Sequence, residues 1–217
     1  MSVHLQHEIA NLKKQILSLG ALVEDDVSQA VRAVAQRDLR LAQGVIDRDS
    51  VVDQNEVSIE EECLKILALH QPVANDLRFI IAVLKLNNDL ERIGDLAVNI
   101  AQRAIFLCGQ PRVDIPFDLA EIAEKSQAML RQSLDALINL DLKLARQVGA
   151  SDDVVDNLNR QSFELIKGVI RQSTEHLDSL IALLSVSRYL ERIADHATNI
   201  AEDVIYLVEG RIIRHQH

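Results

Sequence analysis

Aromatic residues, proline and glycine are all scarce in this 217-residue chain: 3% aromatic with no tryptophan, three prolines and seven glycines. So few turn formers leave room for only a handful of chain reversals, and so few aromatics argue against a β-sandwich or barrel core; the composition favours long helices. Cysteine is nearly absent. Cys63 and Cys108 stand far apart, in no CxxC pair and near no ligand cluster. That excludes a disulfide framework and suits free thiols of a reducing compartment. Cationic residues are outnumbered, for a formal net charge of −10, and no Lys/Arg run is present. A duplex-binding protein needs a basic face for phosphates, so no nucleic acid is expected as a partner. The acidic balance permits cations and basic proteins. No uninterrupted apolar stretch reaches the ~18 residues that a membrane span needs. The start, Met1-Ser-Val-His-Leu-Gln6, has neither a basic n-region nor an apolar run. Neither direct membrane insertion nor a signal peptide is expected, and the expected location is cytoplasmic.

What the chain has in abundance is helical periodicity. Leu5, Ile9, Leu12, Ile16, Leu19, Val23, Val27, Ala30 and Val34 recur in steps of three or four, one stripe of an amphipathic helix. Asp38 reads as a cap after a turn, a short helix follows through Leu39 to Ile46, and Asp49 opens a longer helix to about His70. Gln71-Pro72 interrupts it. A third long stripe, from Val83 through Leu90, Ala97 and Leu107, ends near Gly109. Residues 110–118 hold two of the three prolines and read as a linker.

The second half repeats the first. Residues 90–101 read LERIGDLAVNIA and residues 190–201 read LERIADHATNIA, with nine of twelve positions identical. Upstream the offset grows from 100 to 103, so that Asp38-Leu-Arg-Leu-Ala42 matches Asp141-Leu-Lys-Leu-Ala145, and Asp49 and Asp53 match Asp152 and Asp156. Helical composition alone does not generate a matching Glu-Arg…Asp…Asn series. The fold class expected is all-α: two tandem three-helix bundles, residues 1–109 and 119–217, joined by the linker.

The repeated polar residues carry the chemistry. Glu91 and Asp95, like Glu191 and Asp195, are spaced i, i+4 on one helix face, where like charges destabilise by roughly 0.2–0.5 kcal/mol. A multivalent cation would offset that repulsion, with Arg92 and Arg192 as salt-bridge partners. Asp49 and Asp95 are equidistant from Pro72, as are Asp53 and Glu91; Asp152 with Asp195 and Asp156 with Glu191 straddle the polar break at Ser173. An antiparallel hairpin thus brings four carboxylates to one level in each half. Oxygen-only sets suit hard cations such as Mg²⁺ or Mn²⁺, and bridging carboxylates hold iron. On a helical wheel Glu91 and Asp95 lie off the apolar stripe, which places the site on the bundle surface. Asn99 and Asn199 extend the ridge as candidate neutral ligands. The competing readings are plain: Asp49 and Asp152 as N-caps, Asp53 and Asp156 as solvated residues, His196 as a surface residue, and His215 and His217 as tail residues.

Several chemistries are missing. There is no P-loop, GxGxxG, HExxH or GxSxG, and no Glu is followed by His three residues on, as ferritin-type di-iron sites require. Nothing assembles a nucleophile, a base and an oxyanion hole, so the chain reads as a non-enzyme.

The two (E/D)xxxD copies, Glu91-Arg-Ile-Gly-Asp95 and Glu191-Arg-Ile-Ala-Asp195, together with Gln71-Pro-Val-Ala-Asn-Asp-Leu-Arg78, resemble the PhoU family of phosphate-specific transport accessory proteins. Ala194 departs from the glycine usual at that position, and Asn87-Asn88 departs before the first motif. The resemblance implies two three-helix bundles, often in a homodimer. It also implies iron clusters or other metals (Mg, Mn, Zn) at Glu91, Asp95, Glu191 and Asp195. In function it implies negative regulation of the phosphate-starvation response, coupling the phosphate ABC transporter, through its ATPase, to the sensor histidine kinase PhoR, peripheral to the inner membrane through those partners. The alternative from another class is a carboxylate-bridged metal-storage or redox bundle.

Overall fold

A computed structural model describes residues 3–210; His215 and His217 lie outside the described residues. Six helices follow in order: α1 (Val3–Gln36), α2 (Leu39–His70), α3 (Ala74–Cys108), α4 (Leu119–Asn139), α5 (Leu142–Gln172) and α6 (Leu177–Glu209). Among the described residues there is no strand. None of these helices is long and apolar enough to cross a membrane.

The turns follow from local chemistry. Arg37 and Leu140, equivalent in the two halves, take left-handed backbone angles (φ 54° and 51°) that reverse the chain. Asp38 and Asp141 then cap the next helix: each carboxylate accepts from two backbone amides, at 2.8 and 3.2 Å in the first half and 2.9 and 3.0 Å in the second. The short helix expected from Leu39 to Ile46 and the N-cap expected at Asp49 are not found: α2 and α5 are continuous, and Asp49 and Asp152 sit inside them. Once Asp38 and Asp141 have satisfied the orphan amides, nothing in residues 46–49 breaks the helix. Gln71, left-handed at φ 44°, ends α2 before Pro72.

In each half α1–α3 or α4–α6 pack as a three-helix bundle, and α3 and α6 pack against each other along their length, with a smaller contact between α1 and α4. One apolar core runs through both halves, from Leu12 and Leu19 through Leu86, Leu90 and Ile93 to Leu190, Ile193 and Ile200. The α3–α6 seam is antiparallel and carries polar clasps. Lys85 Nζ lies 3.2 Å from the buried Asp203, and His196 Nδ1 lies 2.8 Å from the buried Asp89, which also accepts from Asn199 at 3.3 Å. The linker is tied down where Arg37 donates to the carbonyls of Gln110 (2.5 Å) and Pro111 (3.1 Å).

Candidate functional site

The α2–α3 hairpin sets the first site. Val52 and Gly94 mark a close approach of the two helices: a Cβ on Gly94 would stand 3.1 Å from Val52 Cγ1. The acidic residues flank this contact, with Asp49 and Asp53 on α2 and Glu91 and Asp95 on α3. They feel one another. Partial burial raises the pKa of Asp49 above the usual aspartate range, and Asp53 and Asp95 raise it further. Burial also raises Glu91; Asp95 adds to this, Arg92 opposes it, and Glu56 and Asp53 contribute more weakly. Arg92 braces the motif, with Nε 3.4 Å from Glu91 and a terminal nitrogen 3.2 Å from Asp95. Glu56 is a carboxylate that sequence reasoning missed. It is i+3 from Asp53, and the repeat could not flag it because its counterpart is Asn159.

The second site is built the same way from α5 and α6, with Ala194 in place of Gly94. Glu191 is raised by burial and by Asp156 and Asp152, against Arg188 and Arg192. Asp195 is pushed up to about 6, first by burial and then by Glu191, Asp152 and Asp156, with His196 opposing. Thr198 donates to Asp152 at 3.3 Å, and Arg160 stands 3.8 Å from Asp156. All eight carboxylates are half-buried or exposed, so both sites lie on the bundle surface.

The amide nitrogen of Asn199 turns toward α3 and donates to Asp89 at 3.3 Å. His196, read as a surface residue, is likewise committed to Asp89. Both Cys63 and Cys108 are free thiols, and burial pushes that of Cys63 up to about 12, which makes it inert.

The donor chemistry of each site, carboxylate oxygen without nitrogen or sulfur, fits a hard cation. The side-chain arrangement is open: among the described residues no three His, Cys, Asp or Glu side chains converge closely enough to enclose an ion.

The family model that matches is the PhoU domain, and it matches twice, over residues 16–104 and 119–204. This chain belongs to the PhoU family. It is 38% identical over 218 residues to the phosphate-specific transport system accessory protein PhoU homolog of Pseudomonas aeruginosa, covering 99% of this chain and 89% of that one. The corresponding Aquifex aeolicus protein is also 38% identical, covering 97% of this chain and 95% of its own. The crystal structure of PhoU from Pseudomonas aeruginosa superposes with a TM-score of 0.91 at 39% identity, covering 95% of this chain and 99% of that one. The phosphate transport system regulatory protein PhoU from Streptococcus pneumoniae superposes with a TM-score of 0.86 at 29% identity, covering 96% and 99%. The PhoU relatives are accessory and regulatory proteins by name.

Proposed function

We propose that this PhoU protein is a cytoplasmic regulator of phosphate homeostasis that represses phosphate-starvation signalling and limits uptake. It does so by linking the ATPase of the phosphate ABC transporter to the sensor histidine kinase PhoR, as a homodimer held near the inner membrane by those partners. The observation that carries the reading is the double domain match over nearly the whole chain, at 38% identity to proteins named for the phosphate transport system. Deleting the gene in its host and measuring phosphate-responsive transcription is the test. Derepression in high phosphate is expected; unchanged expression would overturn the reading.

The two carboxylate faces are proposed to recruit cations such as Mg²⁺, Mn²⁺, Zn²⁺ or iron, Glu91, Asp95, Asp49 and Asp53 holding one and Glu191, Asp195, Asp152 and Asp156 the other. A bound cation would supply the positive charge that the repelling carboxylates lack. Their open rims allow the side chains to swing inward around it. Elemental analysis of native protein checks this against Asp95→Ala/Asp195→Ala: the substitutions should remove most of the metal, and undiminished content would sink the assignment. The surface position of both sites favours a regulatory role over a sealed redox or storage centre.

A further inference from the structure

The repeat lets equivalent positions of the two halves be compared residue by residue. One surface beyond the carboxylate sites has diverged in the sign of its charge. In the second half a groove of about 450 Å³ runs between α5 and α6, lined by Asn159, Arg160, Phe163, Glu164, Leu184 and Arg188. Phe163 is 51% exposed, and Lys167 Nζ stands 5.7 Å from its ring centroid. Arg160 has 72% of its side chain accessible and stands 3.8 Å from Asp156, Arg188 is exposed and opposes the upward shift of Glu191, and Lys167 pairs with Glu164 at 3.3 Å. In a chain of net charge −10 this is an unusual concentration of cations beside an exposed aromatic ring.

The same positions of the first half read Glu56, Val57, Glu60, Glu61, Leu84 and Asn88. Both arginines and the phenylalanine are gone, and the face is acidic. It repels itself: burial raises Glu56, and Glu60 and Asp53 raise it further. Exposed Val57 (50%) and Leu64 (55%) put apolar area beside those carboxylates. One half therefore presents an apolar face ringed by carboxylates, and the other an apolar groove where Arg160, Arg188 and Lys167 outnumber the one lining carboxylate, Glu164.

We propose that two copies of the chain pair through these surfaces, the acidic α2 face of each seated in the α5–α6 groove of the other, so that one two-fold axis generates both contacts. Face against face or groove against groove would oppose like charges; only the crossed arrangement is complementary. The inference rests on the reading of the chain as a dimer and specifies which surfaces make it. Sedimentation equilibrium of the full chain tests it with two double variants, Arg160→Glu/Arg188→Glu and Glu60→Arg/Glu61→Arg, all at exposed positions. Each variant should weaken dimerisation by about tenfold or more while far-UV circular dichroism stays unchanged. An equimolar mixture of the two should dimerise again, because each supplies the charge the other now needs. Variants that dimerise like the wild type, or a mixture that restores nothing, would overturn the crossed interface and leave a dimer built elsewhere. A wild-type chain that stays monomeric over the concentration range would overturn the dimer reading and the interface with it.

Discussion

Asp195 shows what the acidic level costs at the scale of one residue. Its acidity is lowered to a pKa of about 6 from an ordinary 3.8, so the folded chain holds a proton there more tightly than the unfolded chain does. The associated stability is fully present below about 3.8 and is lost as pH rises through about 6. Asp195→Asn should therefore raise the melting temperature at pH 7–8 in chelator-treated buffer, with the gain fading toward pH 4. Discounted for solvent exposure, the effect is about 1 kcal/mol, or about 2–4 °C in a melting curve. Added Mg²⁺ or Mn²⁺ should stabilise the wild type and reverse the order; calorimetry with and without the metal reads both. Asp26 is a different case. It is 2% exposed and held by Arg48 across α1 and α2, Nε to Oδ1 at 2.7 Å, and burial still raises its pKa. Arg48→Met strands that carboxylate and should cost about 3 kcal/mol in urea unfolding at pH 7, near the low end for a broken buried pair because Arg48 is partly exposed. The site carboxylates were legible because i, i+4 spacing is local and the repeat displayed it twice. Asp89 with His196, and Lys85 with Asp203, were not: their partners lie more than a hundred residues away and follow no spacing rule.

Among the elements, the hairpins carry the most information per residue. Pro72 and the polar break at Ser173 fixed the register of α2 on α3 and of α5 on α6 from sequence, since an antiparallel pair can be indexed by counting outward from its turn. What counting could not show was where α2 and α5 begin. An aspartate before an apolar run looks the same whether it caps a helix or sits in one. The choice falls to whichever aspartate follows a left-handed residue, and that conformation is invisible in Arg37 or Leu140, neither of which is glycine. Asp141→Ala removes two amide acceptors and should lower stability by about 1 kcal/mol, measured by denaturant titration, whereas the interior position of Asp152 predicts no capping loss for Asp152→Asn.

At the scale of the whole molecule, the duplication was legible in full and the joining of the halves was not. Apolar stripes on α3 and α6 announce burial, but the same stripe serves a neighbour within the bundle or across it. The α3–α6 seam makes the two bundles share one core, so thermal unfolding should be a single cooperative transition; two resolved calorimetric peaks would contradict a shared core. The seam also has a genealogical meaning. Its pseudo-two-fold is the symmetry of two identical half-length chains meeting through their third helices, a contact in which every residue must suit its own copy. With both copies on one polypeptide that demand is lifted. Asp89 faces His196 and Asn199, while the mirrored positions hold Tyr189, Leu96 and Asn99. Lys85 faces Asp203, while the mirrored positions hold Ser185 and Arg103. Tandem linkage thus turned a seam obliged to be its own mate into one whose two sides evolve separately, and the arginine groove on one half and the glutamate face on the other are differences that an untethered half-length ancestor could not have kept apart.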